Sequence, residues 1–165
     1  MAESLNSKTY LQRLQTVAYL YLGAPLVLFI YAYLESSVDE LEEIVPFEYH
    51  LAVLFPIVLL CSILMYAHWK QHRLLTHQIS MKPGLPEKLA LYKSANNRRF
   101  MYFGLCALLI TIGFYLTNFQ PFAALFGLMI VLFSIYNPSS RRIVQELKLR
   151  DEEKKIIMNG EDIEE

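Results

Sequence analysis

No lysine or arginine occurs between Arg13 and Lys70, although that stretch carries Glu35, Asp39, Glu40, Glu42, Glu43 and Glu48. A second gap separates Arg99 from Arg141. Within the apolar runs the lack is wider: no Asp, Glu, Lys, Arg or His lies in the central part of any of them. Proton relays, ion-coupled carriers and voltage sensors need an ionisable group at membrane depth, so the pattern argues against all three. Cysteine is scarce. Cys61 and Cys106 both fall inside apolar runs, and no Cys-x-x-Cys is present. That excludes a disulfide framework or zinc knuckle as a sequence inference and leaves two small apolar residues. Gly-x-Ser-x-Gly, His-Glu-x-x-His and a glycine-rich phosphate loop are also missing, so nucleophilic catalysis and nucleotide binding have no signature. His68 and His72 share a helix face at a spacing that can hold a metal, yet no third ligand is near and Lys70 and Arg73 repel a cation. Haem ligation fits no better, because His50 and His68 sit at opposite ends of one run. The expectation is a protein with no catalytic residue, metal or cofactor.

What is present is apolar length. The chain has 165 residues, is 55% hydrophobic and has a mean hydropathy of +0.30. Its apolar residues gather into four runs, Thr16–Leu34, Leu51–Trp69, Phe100–Leu116 and Phe122–Tyr136. A helix needs about 20 residues to cross about 30 Å of hydrocarbon. The first two runs meet that nearly unaided, and the other two must borrow flanking residues or sit where the bilayer thins. The first run is longer than a signal-peptide core and is followed by Glu35-Ser36-Ser37 rather than a cleavage site, so it reads as a retained signal anchor. The net charge of -1 hides a separation of sign. All the basic residues lie before the first run, between the second and third, or after the fourth. Basic residues are retained on the cytoplasmic face during insertion, which predicts a multi-pass protein with both termini in the cytoplasm. Charges flanking spans answer to topology and anionic lipid, not to nucleic acid. The predicted fold is an all-α, polytopic membrane four-helix bundle with cytoplasmic stem and tail helices. Residues 1–138 would form the transmembrane domain, and residues 139–165 an amphipathic tail helix with an acidic end.

Finer features follow from local chemistry. Pro25 and Pro56 interrupt the backbone ladder of the first two spans and predict kinks. Ser37-Val38-Asp39-Glu40 fits a capping box, with Val38, Leu41 and Val45 on one face of a short outer helix. Pro86 suits a first helical turn, and one continuous helix can run from there to Leu116, its first third projecting as a basic stem. Thr117–Pro121 is a tight connection that makes the last two spans a hairpin. Ser139 or Ser140 can cap a tail helix that stops at Asn159-Gly160. In it, Ile143, Val144 and Leu147 form an apolar stripe whose burial needs the stem, the lipid surface or a partner. Ala123, Gly127 and Ser134 make a small-residue stripe on the fourth span, suited either to packing within the bundle or to an interface with another subunit. Basic stem residues can meet Glu146 or Asp151–Glu153 of the tail as exposed pairs that orient rather than hold the fold.

The segment Pro86-Glu87-Lys88-Leu89-Ala90-Leu91-Tyr92-Lys93-Ser94-Ala95 ahead of the third span is informative in combination. So is Asn137-Pro138-Ser139-Ser140-Arg141-Arg142-Ile143-Val144-Gln145-Glu146-Leu147-Lys148-Leu149 after the fourth. On these the C-terminal half resembles an uncharacterised group of four-span inner-membrane proteins common in Bacteroidota. The resemblance implies a bacterial inner membrane and supplies no activity and no site residues. From the residues themselves, the expected function is non-catalytic: an accessory subunit or scaffold of a membrane complex, partnered by the lipid bilayer and by other subunits or itself. The alternative is a passive pore or carrier for a small neutral or lipid-like solute, working as an oligomer.

Overall fold

The computed structural model describes residues 5–37 and 44–163. The capping box and the outer amphipathic helix expected from Ser37 onward fall largely outside them. Among the described residues the chain forms six α-helices: α1 (Ser7–Ser37), α2 (His50–Ser80), α3 (Leu85–Thr117), α4 (Pro121–Ile135), α5 (Ser140–Glu146) and α6 (Asp151–Asn159). A single turn of 3-10 helix, Phe47–Tyr49, leads into α2. Two short strands, β1 (Leu5–Asn6) and β2 (Asp162–Ile163), pair antiparallel and bring the ends of the described chain together. That pairing was not expected of the acidic end.

Helices α1, α2 and α3 are each long and apolar enough to cross a membrane. The fourth, α4, reaches that length only together with α5, from which it is bent by 81°. Its 15 residues alone rise roughly 22 Å, short of the roughly 30 Å of a hydrocarbon core. Helix boundaries follow the local chemistry. Gly84 takes φ +83° ahead of α3, which carries Pro86 in its first turn. Asn118 closes α3 in the left-handed conformation, its N–H donating to the Phe114 carbonyl at 2.7 Å. The stem and third span are thus one helix of 33 residues. Helices α1 and α2 run on through Pro25 and Pro56 without a break.

Helix α3 is the axis of the molecule, with α1, α2 and α4 all packed on it. More than half of its apolar window is buried, whereas α2 leaves almost all of its own facing outward. Two glycines make the close approach. A Cβ on Gly104 would lie 2.9 Å from the Tyr21 carbonyl oxygen, and one on Gly113 would lie 2.5 Å from the Phe122 ring. Around α3 the span core is largely aromatic: Phe100, Phe103, Phe114, Phe122, Phe126 and Phe133. Phe29 of α1 stacks on Phe126 of α4 with ring centroids 4.1 Å apart and planes 7° apart.

A second core lies at the end of the bundle that carries the basic residues. Tyr10 and Leu14 of α1, Ile79 of α2, Leu85, Leu89 and Tyr92 of α3 close over Ile143, Leu147, Leu149 and Ile157. The tail corrects one expectation. It is not one helix: Lys148 and Asp151 take φ +52° and +48°, breaking it between α5 and α6 and turning Leu149 inward. The stops themselves match, since the Ser139 hydroxyl accepts from the Arg142 N–H at 3.3 Å and Gly160 ends α6 at φ +76°. Of the stem, the lipid surface and a partner, it is the stem that covers the apolar stripe, with Ile143 and Leu147 packed among Leu85, Leu89 and Tyr92. A turn that folds α6 back buries more apolar surface than a straight helix, whose stripe could reach the stem only over its first turns.

Candidate functional site

The two cores meet at Arg99. It lies next to Phe100 on α3, where the basic stem gives way to the apolar span, and is only 3% exposed. Its Nη2 donates to both carboxylate oxygens of Glu146, at 3.0 and 3.1 Å. Glu146, at the end of α5, also accepts from Arg142 Nε at 2.9 Å and from the Tyr92 hydroxyl at 2.9 Å. Arg142 stands one helical turn before Glu146, a spacing that places both on one face. The rings complete the arrangement. Tyr136 presents its face to both guanidinium groups, 4.5 Å from Arg142 and 5.4 Å from Arg99. A second pair, Lys88 to Glu153 at 2.7 and 2.9 Å, ties α3 to α6. These pairs are far less exposed than solvated stem–tail contacts, because the tail folds over them: the Lys88 and Arg99 side chains are 11% and 4% exposed.

His72 of α2 closes the cluster. Its Nε2 is in contact with Arg99 Nη2 and lies 3.3 Å from Glu146. A guanidinium can only donate, and that contact assigns the acceptor role to Nε2 and the ring proton to Nδ1. Burial, reinforced by the Arg99 charge, lowers the His72 pKa to about 3 despite the opposing pull of Glu146. His72 is therefore neutral near pH 7, and its approach to Glu146 is not an ion pair. Burial pushes the Glu146 carboxyl up, but the Arg99 charge and the hydrogen bonds from Arg142 and Tyr92 hold it below its usual value. Tyr92, fully buried, is raised by desolvation and by the neighbouring carboxylate. A carboxylate held ionised by two arginines is a poor proton acceptor. The cluster suits fastening better than catalysis.

Three buried side chains keep unpartnered polar atoms here: both ring nitrogens of His68, Nδ1 of His72 and Nη1 of Arg99. All three residues line a cavity of about 250 Å³, with Tyr66, Trp69, Phe103 and Tyr136 among the other walls. A second cavity of about 220 Å³, apolar and bounded by Cys61, Ile110, Leu125 and Leu128, shares Met65 and Leu132 with the first. The two cavities lie end to end as a lateral groove lined by α2, α3 and α4, with Met65 and Leu132 at their common border. Cys61 lines the apolar cavity and meets the buried Cys106 of α3 without a disulfide, each Sγ 3.9 Å from the other's carbonyl oxygen.

The residues singled out in the sequence separate in space. Ile143 and Leu147 are buried in the stem–tail core and Val144 packs partly against it. Ala123 is half-buried against the span core, while Gly127 and Ser134 face outward, and a Cβ on Gly127 would meet nothing within 4 Å. The glycines that let helices approach are Gly104 and Gly113, and neither belongs to that stripe. Pro25 is buried and Pro56 exposed. Among the described residues no group of three or more His, Cys, Asp or Glu side chains is placed to hold a metal ion. The sequence pairs the basic stem with Glu146 only as an exposed contact; that Arg99 is the partner, with His72 beside it, was not legible, because they lie 47 and 27 residues from Arg99 along the chain. The one available signal was Arg98-Arg99 abutting an apolar run, which positive-inside bias already explains.

No protein-family model matches the chain, and neither does any curated protein or solved structure. What stands is an all-α protein with three to four helices long and apolar enough to cross a membrane.

Proposed function

We propose that this chain is a non-catalytic integral membrane protein that serves as an accessory subunit or scaffold of a membrane complex. It crosses the bacterial inner membrane four times, with both termini in the cytoplasm. The observation that supports this reading is the double arginine clamp on Glu146. It spends the most chemically capable cluster of the described residues on locking the tail to the stem, giving a rigid cytoplasmic body on a membrane anchor. The outward face of α4 around Gly127 and Ser134 then offers a surface for close helix approach. Purification in mild detergent should recover a stoichiometric partner or a defined homo-oligomer. Gly127→Leu with Ser134→Leu should weaken that recovery without unfolding the chain. A monodisperse monomer carrying no other protein would overturn the reading.

The groove between α2 and α4 favours a second reading, a passive carrier for a lipid-like solute. Cysteines placed along the α2 side of the groove at Val58, Ser62 and Met65 should then react with a membrane-impermeant thiol reagent. Complete protection of all of them would remove the carrier.

A further inference from the structure

We infer that the groove between α2 and α4 binds a single-chain lipid acid, with its compact anionic head against His68, His72 and Arg99 and its acyl chain along Met65 and Leu132. Such binding rests on these helices spanning the membrane. It needs neither transport nor a partner subunit, so it can fail without either proposed function failing, and the reverse.

The head site is made of donors lacking an acceptor. Arg99 Nη2 is taken by Glu146, but Nη1 is unpartnered on a residue 3% exposed. His72 Nδ1 is unpartnered on a residue 7% exposed. His68 is 5% exposed with both nitrogens unpartnered, so at least one further N–H is on offer. All three line the same cavity. Buried polar groups are normally satisfied, and each exception calls for water or a ligand. Charge decides between these. Arg99 and Arg142 face one carboxylate, Glu146, which leaves one positive charge uncompensated in a partly desolvated site. An acid group supplies acceptors without donors and cancels that charge, which a neutral head does not.

The rest of the ligand follows from continuity and size. The polar cavity adjoins the apolar one, Met65 and Leu132 lining both, and the further walls of the apolar part are Val58, Cys61 and Leu128. At about 250 and 220 Å³ each part is smaller than the roughly 300–1,000 Å³ of a drug-sized pocket. That suits a carboxylate or phosphomonoester head and one chain rather than a bulky headgroup with two. The polar cavity, lined by His72 and Arg99, lies at the basic end and the apolar one deeper among the spans, the orientation in which a lipid acid would sit in a leaflet.

Trp69 is the only tryptophan of the chain and lines the head cavity, so it reports occupancy. The full chain in mild detergent is titrated with chain-brominated stearic acid, brominated lysophosphatidic acid and the matching brominated fatty alcohol, following Trp69 quenching. The acids should quench saturably at a half-saturation at least about tenfold below the alcohol, the worth of a charge-assisted hydrogen bond. His68→Phe keeps a ring against Tyr102 and Phe103 and should raise the acids' half-saturation about tenfold while leaving the alcohol unchanged. Leu132→Phe, which narrows the tail groove, should weaken the acids by a similar factor without touching a polar group. Inorganic phosphate at millimolar concentration should not displace brominated stearic acid. Equal quenching by acid and alcohol in the unmodified chain would mean that water fills the head cavity, and would overturn the inference. Unchanged acid binding in both variants, or displacement by inorganic phosphate, would overturn it too.

Discussion

At the scale of single residues, the chemistry of this protein concentrates where apolar span meets basic stem. Breaking a buried ion pair by removing one member costs more than the pair itself contributes, because the survivor keeps its charge without compensation. Glu146→Ala leaves Arg99 buried with nothing to neutralise it. We expect it to loosen the tail by about 3 kcal/mol, read as faster proteolysis beyond Pro138. Glu146→Leu combined with Arg99→Met should recover much of that protection, and a double variant as labile as the single one would argue against the pair as the fastener. The pH dependence has a definite sign. Both His72 and Glu146 have folded pKa values below their ordinary ones. A depressed pKa contributes stability that is present above the unfolded value and lost as pH falls towards the folded one. For His72 the window runs from 6.5 down to about 3, and Glu146 adds its share below 4.5. Tail protection, followed by hydrogen exchange, should therefore be flat above pH 7 and decline on acidification; greater protection at pH 5 than at pH 7 would contradict the assignment.

At the scale of elements, α3 governs the packing, and its glycines matter more than the more visible stripe on α4. Gly104→Ala sets a methyl 2.9 Å from a backbone oxygen of α1, a neighbour with little freedom to yield. Overpacking of this kind costs about 1–3 kcal/mol, measurable as earlier unfolding in a detergent titration. Gly127→Ala adds a methyl to open space. It should change folding by less than about 0.5 kcal/mol, so a loss equal to that of Gly104→Ala would show that α4 packs differently. In the tail, Leu147 is fully buried between α5 and the stem. Leu147→Ala should cost about 2–5 kcal/mol locally, detaching α5 and α6 in proteolysis while the span bundle stays inserted.

At the scale of the whole molecule, the membrane-spanning candidates and the clamped tail form one body around α3. Its orientation is the subject of the broadest prediction. A reporter fused before Met1 or after Glu165 should be cytoplasmic, and one inserted beside Asp39 should be external. An external C-terminus would mean an odd number of crossings, and would leave α4 as a helix that packs on α3 without spanning. The antiparallel pairing of β1 with β2 bears on the same question, since it requires both ends of the described chain to lie on one side.

Sequence by itself determined the long helices, their boundaries and the separation of charge. Each of these depends on local matters: apolar length, a proline at a first turn, a left-handed residue at a helix end. The hairpin at Thr117–Pro121, the uninterrupted stem and span, and the Ser139 cap were legible for that reason. Tertiary structure alone decided which small residues bring helices together, since Gly104 and Gly113 differ from Gly127 only in what stands opposite them. It also decided that the tail turns at Lys148 and folds back, because the gain comes from surfaces distant in the chain. The Glu146 clamp and the unpartnered donors of His68, His72 and Arg99 arise the same way. An ion pair between α3 and α5, and a groove between α2 and α4, exist only once the helices have been placed, and nothing in the spacing of their residues along the chain encodes that distance.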